Sequence, residues 1–259
     1  MISTSEALSR PATWAEPTTP RILVIIPAKD ESGSLPGLLA ELAPVHPATD
    51  TLVVDDGSND ETRAIAITGG CRTVRHHVNL GYGAALLTGY HFAMREGYTH
   101  VVQLDGDGQH PPHAIEALLG PLREDGADVV VGSRYLASNQ GQNWGLRRFA
   151  SKIIAWFAST WTGHKITDPT SGFQALSPAA LALLCSDGFP EDYPDADVLI
   201  WLHLNGMRLH EVPVAMRPRV AGVSMHGGMR VAYYFYRLAV CLLLLPVRRH
   251  SPWRSERRR

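Results

Sequence analysis

Val101-Val-Gln-Leu-Asp-Gly-Asp-Gly-Gln-His-Pro-Pro112 reads as a buried strand that ends in two aspartates one residue apart. Val101 to Leu104 supply the apolar run of a central strand, and Gly106 and Gly108 break it into a tight turn. Asp105 and Asp107 then project from the strand's carboxyl end, where open α/β sheets bind ligands. Two carboxylates so close repel each other and are costly to desolvate unless a cation lies between them. A hard divalent ion carrying phosphates is the natural occupant, because Mg2+ and Mn2+ favour oxygen donors and keep open positions for phosphate oxygens. The turn is expected to be exposed, with Asp107 outside the core. A plain surface turn rich in Asp and Gly is the alternative, and Gln109 and the matching motifs elsewhere weigh against it.

The runs on either side repeat one pattern. Ile22–Pro27, Thr51–Asp55, Thr73–His76, His100–Leu104 and Asp128–Gly132 are short and rich in β-branched residues. Their starts lie about 20–30 residues apart, the spacing of βα units that feed a parallel sheet. Helices are expected over Ser34–Ala43, Asp60–Thr68, Gly83–Glu96 and Pro112–Glu124, with Asn59 or Asp60 capping the second. Beyond Gly132 the pattern changes to a helix over Leu146–Trp161, a strand near Phe173–Leu176, a helix over Ala196–Leu204 and a strand through Leu209–Val214. The fold class is therefore α/β, a Rossmann-like, mostly parallel sheet flanked by helices.

Three acidic turns fall along the same carboxyl edge: Pro27-Ala-Lys-Asp-Glu31, Asp55-Asp-Gly-Ser-Asn-Asp60 and Asp105-Gly-Asp107. An acidic crevice cannot hold a diphosphate without a metal, but its carboxylates can accept hydrogen bonds from a base and a ribose. Asp56 has a structural alternative as the cap of the next helix. Asn79-Leu-Gly-Tyr-Gly83 opens the third helix with glycines that permit close approach of a ligand. Leu86 stands where the dinucleotide fingerprint has its third glycine, which argues against a nicotinamide enzyme. His110 and His113 flank a Pro-Pro pair and shape a helix start more readily than a zinc site.

Val24-Ile-Ile-Pro-Ala-Lys-Asp-Glu31, Val53-Val-Asp-Asp-Gly-Ser-Asn-Asp60, the Asp105 turn, Val131-Gly-Ser-Arg134 and Asp168-Pro-Thr-Ser-Gly-Phe173 together resemble family-2 glycosyltransferases. The branch they look most like is the dolichyl-phosphate mannose synthase-like, polyprenyl-phosphate group, over roughly residues 21–226. The resemblance implies a GT-A fold, an inverting mechanism and a nucleotide-sugar donor, GDP-mannose or a UDP-hexose, held with Mg2+ or Mn2+. It implies that Pro27, Ala28, Lys29, Glu31, Val54 and Asp56 hold the nucleoside, with Gly106 beside them. It implies that Asp105, Asp107 and Gln109 hold metal and diphosphate, and that Arg134 lies beside a phosphate. Ser171 and Gly172 would line the acceptor side, and Arg219, Gly222 and Ser224 would match the family's Arg-x-x-Gly-x-Ser element. Met225 occupies the place where relatives usually carry Lys, and Arg217 or His226 are candidates for the missing charge. Lys29 stands where many relatives have an aromatic residue, so the base is left open.

If the acceptor is a lipid phosphate it is already an anion and needs no general base. A hydroxyl acceptor does need one, and Asp195 or Asp197 is the candidate, with a helix N-terminal acid as the structural alternative. Arg219 and Arg134 can clamp phosphate oxygens bidentately. A nucleotidyltransferase would want a Gly-rich basic first loop, which is absent, and a non-catalytic nucleotide-sugar-binding subunit is the remaining alternative.

Composition frames the rest. The 259 residues are 45% hydrophobic and 19% charged with a formal net charge of −1, a globular profile without a nucleic-acid footprint. Cys71, Cys185 and Cys241 lack metal-ligand spacing and suit a reducing compartment. Residues 1–20 are read as a disordered tail, 21–228 as the catalytic domain and 229–259 as an apolar, aromatic helix with a basic end. Tyr233–Tyr236 and Leu238–Leu245 precede six arginines and one glutamate in residues 248–259. The apolar run is shorter than the ~20 residues a bilayer span needs. It suits a peripheral anchor at the inner face of a membrane, with a homodimer or small membrane-protein partner as the competing use.

Overall fold

The computed structural model describes residues 20–45, 49–136, 145–186 and 196–218. The expected disordered tail, the C-terminal apolar helix, Asp195, Arg219, Gly222, Ser224 and His226 lie outside the described residues.

Seven strands form one sheet: β1 (Ile22–Ala28), β2 (Asp50–Asp55), β3 (Arg72–Arg75), β4 (His100–Gln103), β5 (Val129–Ser133), β6 (Gln174–Leu176) and β7 (Leu209–Pro213). Their spatial order is β3-β2-β1-β4-β6-β5-β7. All pairs are parallel except β6, which runs antiparallel to both β4 and β5. The expected mostly parallel sheet is present, with the three-residue β6 reversed between β4 and β5.

The helices are α1 (Leu35–Val45), α2 (Thr62–Thr68), α3 (Tyr82–Arg95), α4 (Ile115–Arg123), α5 (Gly145–Thr162), α6 (Pro178–Leu184) and α7 (Ala196–Leu204). The expected helix from Pro112 begins as a 3-10 turn over Pro112–Ala114, a common helix entry, before α4. Neither Asn59 nor Asp60 occupies the N-cap of α2, where Glu61 stands without a side-chain cap. Asp60 instead accepts from the Thr62 N–H at 3.0 Å and the Ser32 N–H at 3.0 Å, tying α2 to the loop after β1. Burial works to raise its pKa, but the Thr62 and Ser32 bonds outweigh it and hold the carboxyl at about 2. Helix α6 was not anticipated, although Ser177 caps it through the Ala180 N–H and Pro178 takes the first turn.

Alternation along the strands builds a core on each face. Leu23, Ile25, Leu52, Val54 and Val101 pack with Leu86 and Tyr90 of α3, Leu181 of α6 and Trp201 of α7. Val24, Ile26, Val53 and Val102 pack on the other face with Leu38 of α1, Ala66 of α2 and Leu118 of α4. Each fully buried aliphatic side chain contributes about 1.5–3 kcal/mol, so the strand ends are held by a rigid scaffold. Helix α5 stands outside this sandwich, its Ala158 clustered with Ile166 and with Ile200 of α7.

Candidate active site

Parallel pairing brings the first two acidic turns side by side, with Pro27 opposite Val54 and Ala28 opposite Asp55. Val54 is fully buried in the core, paired between Pro27 and Val74 in the sheet. The Lys29 ammonium donates to the Gly57 carbonyl at 2.7 Å and pairs with Asp30 at 3.0 Å. Asp30 takes a positive φ of 54°, and the Asn59 N–H and Lys29 draw its carboxyl below the ordinary range. Glu31 accepts from the Ser34 hydroxyl at 2.6 Å. Asp56 is buried and does not cap α2. Its carboxylate accepts from the N–H groups of Leu80 and Gly81, both at 2.8 Å, and from His76 at 2.8 Å. The other ring nitrogen of His76 meets Thr88 of α3 at 2.9 Å. Gly57 has φ +68°, and a Cβ there would come within 2.9 Å of the Val78 backbone, so glycine lets the two loops meet.

Beyond β4 the acid pair divides into two environments. Asp105 keeps a third of its side chain exposed, and one of its oxygens accepts from the Tyr82 hydroxyl at 2.9 Å. Its backbone N–H donates to Nδ1 of His110, whose ring stacks on Phe173 at 5.0 Å. Asp107 is only 2% exposed, which corrects the expectation of an exposed turn. Its Oδ1 folds back to accept from the Gln109 N–H at 3.0 Å, and this closes the turn inward. Gly106 lies against Glu31, the Pro27 carbonyl and Ala28, so the first and third turns touch.

The residues expected on the acceptor side come from the far end of the sheet. Arg134, after β5, makes a bidentate pair with the fully buried Asp168, at 2.7 and 2.8 Å. Burial opposes the charge on Arg134, but the Asp168 bonds outweigh it and raise its pKa above the ordinary arginine value. Glu211 on β7 accepts from the Thr167 N–H at 2.8 Å, the Thr167 hydroxyl at 2.9 Å and the Asp168 N–H at 2.8 Å. The Ser171 hydroxyl donates to the Gly132 carbonyl at 2.7 Å. A Cβ on Gly172 would lie 2.8 Å from the Tyr82 hydroxyl and 3.0 Å from an Asp105 oxygen, so this loop abuts the acid pair. The Gln109 carbonyl accepts from the Arg217 N–H at 2.9 Å, while the Arg217 guanidinium turns to Glu41 of α1 at 2.7 and 2.8 Å. Asp197 is buried in the first turn of α7.

Asp105, Gly106, Glu31, Ala28, Pro27 and Gly172 are thus gathered at one place, with Tyr82 joining them. Tyr82, Asp168, Glu211 and His76 were not among the sequence candidates. Asp168 belongs to the Asp168–Phe173 motif, but nothing local in the sequence signals its pairing with Arg134, 34 residues away.

The matching family model, described as Glycosyl transferase family 2, covers residues 23–182, which hold all three acidic turns and the Arg134–Asp168 pair. The chain belongs to glycosyltransferase family 2. Polyprenol monophosphomannose synthase of Mycolicibacterium smegmatis is 33% identical over 85% of this chain and 86% of its own. Undecaprenyl-phosphate mannosyltransferase of Micrococcus luteus is 34% identical over 81% of this chain and 89% of its own. Among solved structures, glucosyl-3-phosphoglycerate synthase of Mycobacterium tuberculosis, crystallised with Mn2+, UDP and glucosyl-3-phosphoglycerate, superposes with a TM-score of 0.66. It shares 21% identity over 95% of this chain and 88% of its own, a likeness of fold. This family-2 glycosyltransferase therefore has the GT-A architecture. No helix among its described residues is long and apolar enough to cross a membrane.

Proposed function

We propose that this glycosyltransferase moves a sugar from a nucleoside diphosphate donor to a polyprenyl phosphate, with inversion at the anomeric carbon. The supporting observation is the contact of the Gly172 loop with the Asp105 carboxylate, in a chain whose relatives act on lipid phosphates along nearly its whole length. A phosphate oxygen of the acceptor attacks the anomeric carbon and forms the new C–O bond. The bond from that carbon to the donor diphosphate breaks, and its electron pair leaves with the nucleoside diphosphate. The acceptor is already ionised near neutral pH, so no side chain has to take a proton.

The donor set fits Mg2+ or Mn2+. Asp105 and Asp107 offer only hard oxygens, the donor type that Mg2+ and Mn2+ favour. Asp105, Asp107 and Gln109 would hold the ion, which would supply Lewis-acid stabilisation of the leaving diphosphate. Tyr82 holds one oxygen of Asp105, and Nε2 of His110 lies 3.8 Å from the other. Asp56 fixes the loop at Leu80 and Gly81, while Lys29 and Glu31 border the nucleoside side. The membrane surface is where such an acceptor is met, and residues 229–259 supply an aromatic and basic dock for it.

Radiolabelled GDP-mannose and UDP-glucose, each with undecaprenyl phosphate, test the assignment by extraction into organic solvent. One of them labels the lipid phase, EDTA abolishes the label, and added Mn2+ or Mg2+ restores it. No lipid label from either donor overturns the acceptor, and full activity in excess EDTA overturns the metal.

A further inference from the structure

We infer that the Tyr82 hydroxyl is a positioning group, which fixes the Asp105 carboxylate for a divalent ion at the joint between the donor and acceptor sides. It rests on the Asp105 metal site proposed above.

The start of α3 is built to aim this side chain. Asp56, after β2, holds the N–H groups of Leu80 and Gly81, both at 2.8 Å. His76 ties the same carboxylate to Thr88, further along α3. Gly81 takes a φ of +100°, a conformation that residues with a Cβ rarely adopt, and the helix begins at the next residue. With its backbone set in this way, Tyr82 reaches across 23 residues of sequence and donates to Oδ1 of Asp105 at 2.9 Å.

The carboxylate it meets has little freedom. The Asp105 N–H donates to Nδ1 of His110 at 3.0 Å, so the neutral ring carries its proton on Nε2, 3.8 Å from Oδ2 of Asp105. That ring is buried and stacks on Phe173 at 5.0 Å. Tyr82 therefore holds one oxygen while a fixed imidazole borders the other, and a third of the Asp105 side chain stays open to solvent. A carboxylate ordered before the ion arrives removes its rotational entropy from the cost of binding. Loss of a hydrogen-bond partner behind a metal-ligating group costs about ten- to a hundredfold in metal affinity.

Position separates Tyr82 from an ordinary core tyrosine. It is only half-buried. Its hydroxyl lies 2.8 Å from the place a Cβ on Gly172 would occupy, so one atom borders both the acid after β4 and the loop before β6. Tyr90, about two turns along the same helix, is the contrast. It is 3% exposed and gives its hydroxyl to Gln103 inside the core.

Tyr82→Phe removes the hydroxyl alone, and Tyr90→Phe is the matching control on the same helix. Titration of the full chain with Mn2+ alone, followed by the electron paramagnetic resonance signal of the free ion, gives the affinity. Lipid labelling across an Mn2+ series gives the metal dependence of turnover, and thermal unfolding without metal reports the fold. Tyr82→Phe is expected to bind Mn2+ about ten- to a hundredfold more weakly, with an unchanged melting temperature. The Mn2+ concentration for half-maximal labelling rises in step, and labelling recovers at saturating Mn2+. Tyr90→Phe is expected to melt lower, because it leaves Gln103 without its partner, and to bind Mn2+ as wild type does. Equal Mn2+ affinity in wild type and Tyr82→Phe overturns the inference. That holds even if labelling or the melting temperature falls, since the hydroxyl then serves the loop or the fold and not the ion. If wild type labels no lipid but binds Mn2+, the acceptor reading fails and the Mn2+ titration still decides the role of Tyr82. If wild type binds no Mn2+ and labels lipid in excess EDTA, the metal reading fails and this inference with it.

Discussion

A methyl group at Gly172 would lie 2.8 Å from the Tyr82 hydroxyl and 3.0 and 3.2 Å from the two carboxylate oxygens of Asp105. Those atoms are side-chain ends, so the substitution moves them rather than the backbone. Gly172→Ala is expected to lower turnover about tenfold to a hundredfold, since misplacement of about 1 Å at a reacting centre has that effect. Stability should change by only about 1 kcal/mol, at the low end for overpacking. Lipid extraction and urea unfolding measure the two, and wild-type turnover in Gly172→Ala would remove the acceptor loop from the site. Gly172 was legible because it belongs to a motif. Tyr82 was not, because its partner lies 23 residues away and a hydroxyl at a helix start carries no signal of that distance. Burial of Asp107 was misjudged for a related reason. Gly106 and Gly108 announce a turn, but nothing local says that the turn closes inward over the Gln109 N–H.

At the scale of elements, β7 holds the loop between α5 and β6 through Glu211, and that loop holds Arg134 through Asp168. Removing one partner of a buried ion pair leaves an uncompensated charge. Arg134 keeps 21% of its side chain exposed, so Asp168→Ala should cost about 3 kcal/mol, at the lower end for such losses. Out of a total of about 5–15 kcal/mol, that is a clear shift of the urea midpoint. Asp168→Asn retains a hydrogen-bond acceptor and should lose less. Equal midpoints for wild type and both variants would mean that the pair is not a brace. The strands were readable to within a residue or two, since β-branched runs between acidic or glycine-rich turns survive burial on both faces. Their order was not fully readable. β6 has three residues and no alternation of its own, so its insertion between β4 and β5 in the reverse sense is set by tertiary packing alone. Helix α6 was missed despite its Ser177-Pro178 start, because seven residues give too short a period to recognise.

Across the whole molecule the charge is unevenly divided. The chain carries a formal −1, and residues 229–259 hold eight arginines and one glutamate, so their deletion leaves −8. A body of that sign is repelled by an anionic membrane, and the basic segment must overcome the repulsion. Each Lys or Arg near such a surface contributes about 1 kcal/mol, and the attraction decays over about 8 Å at physiological salt. The aromatic and apolar run Tyr233–Leu245 of the same segment contributes through apolar burial, which salt does not screen. Full-length protein should therefore sediment with phosphatidylglycerol-containing vesicles strongly at low salt, and partially at high salt where only the apolar share persists. Deletion of residues 229–259 should remove both shares. Transfer to a short-chain, water-soluble polyprenyl phosphate should survive the deletion if the catalytic domain ends near Gly228. Co-sedimentation across a salt series reads both shares in one experiment. A deletion variant with the same salt dependence as wild type would show that the basic segment is not the electrostatic dock.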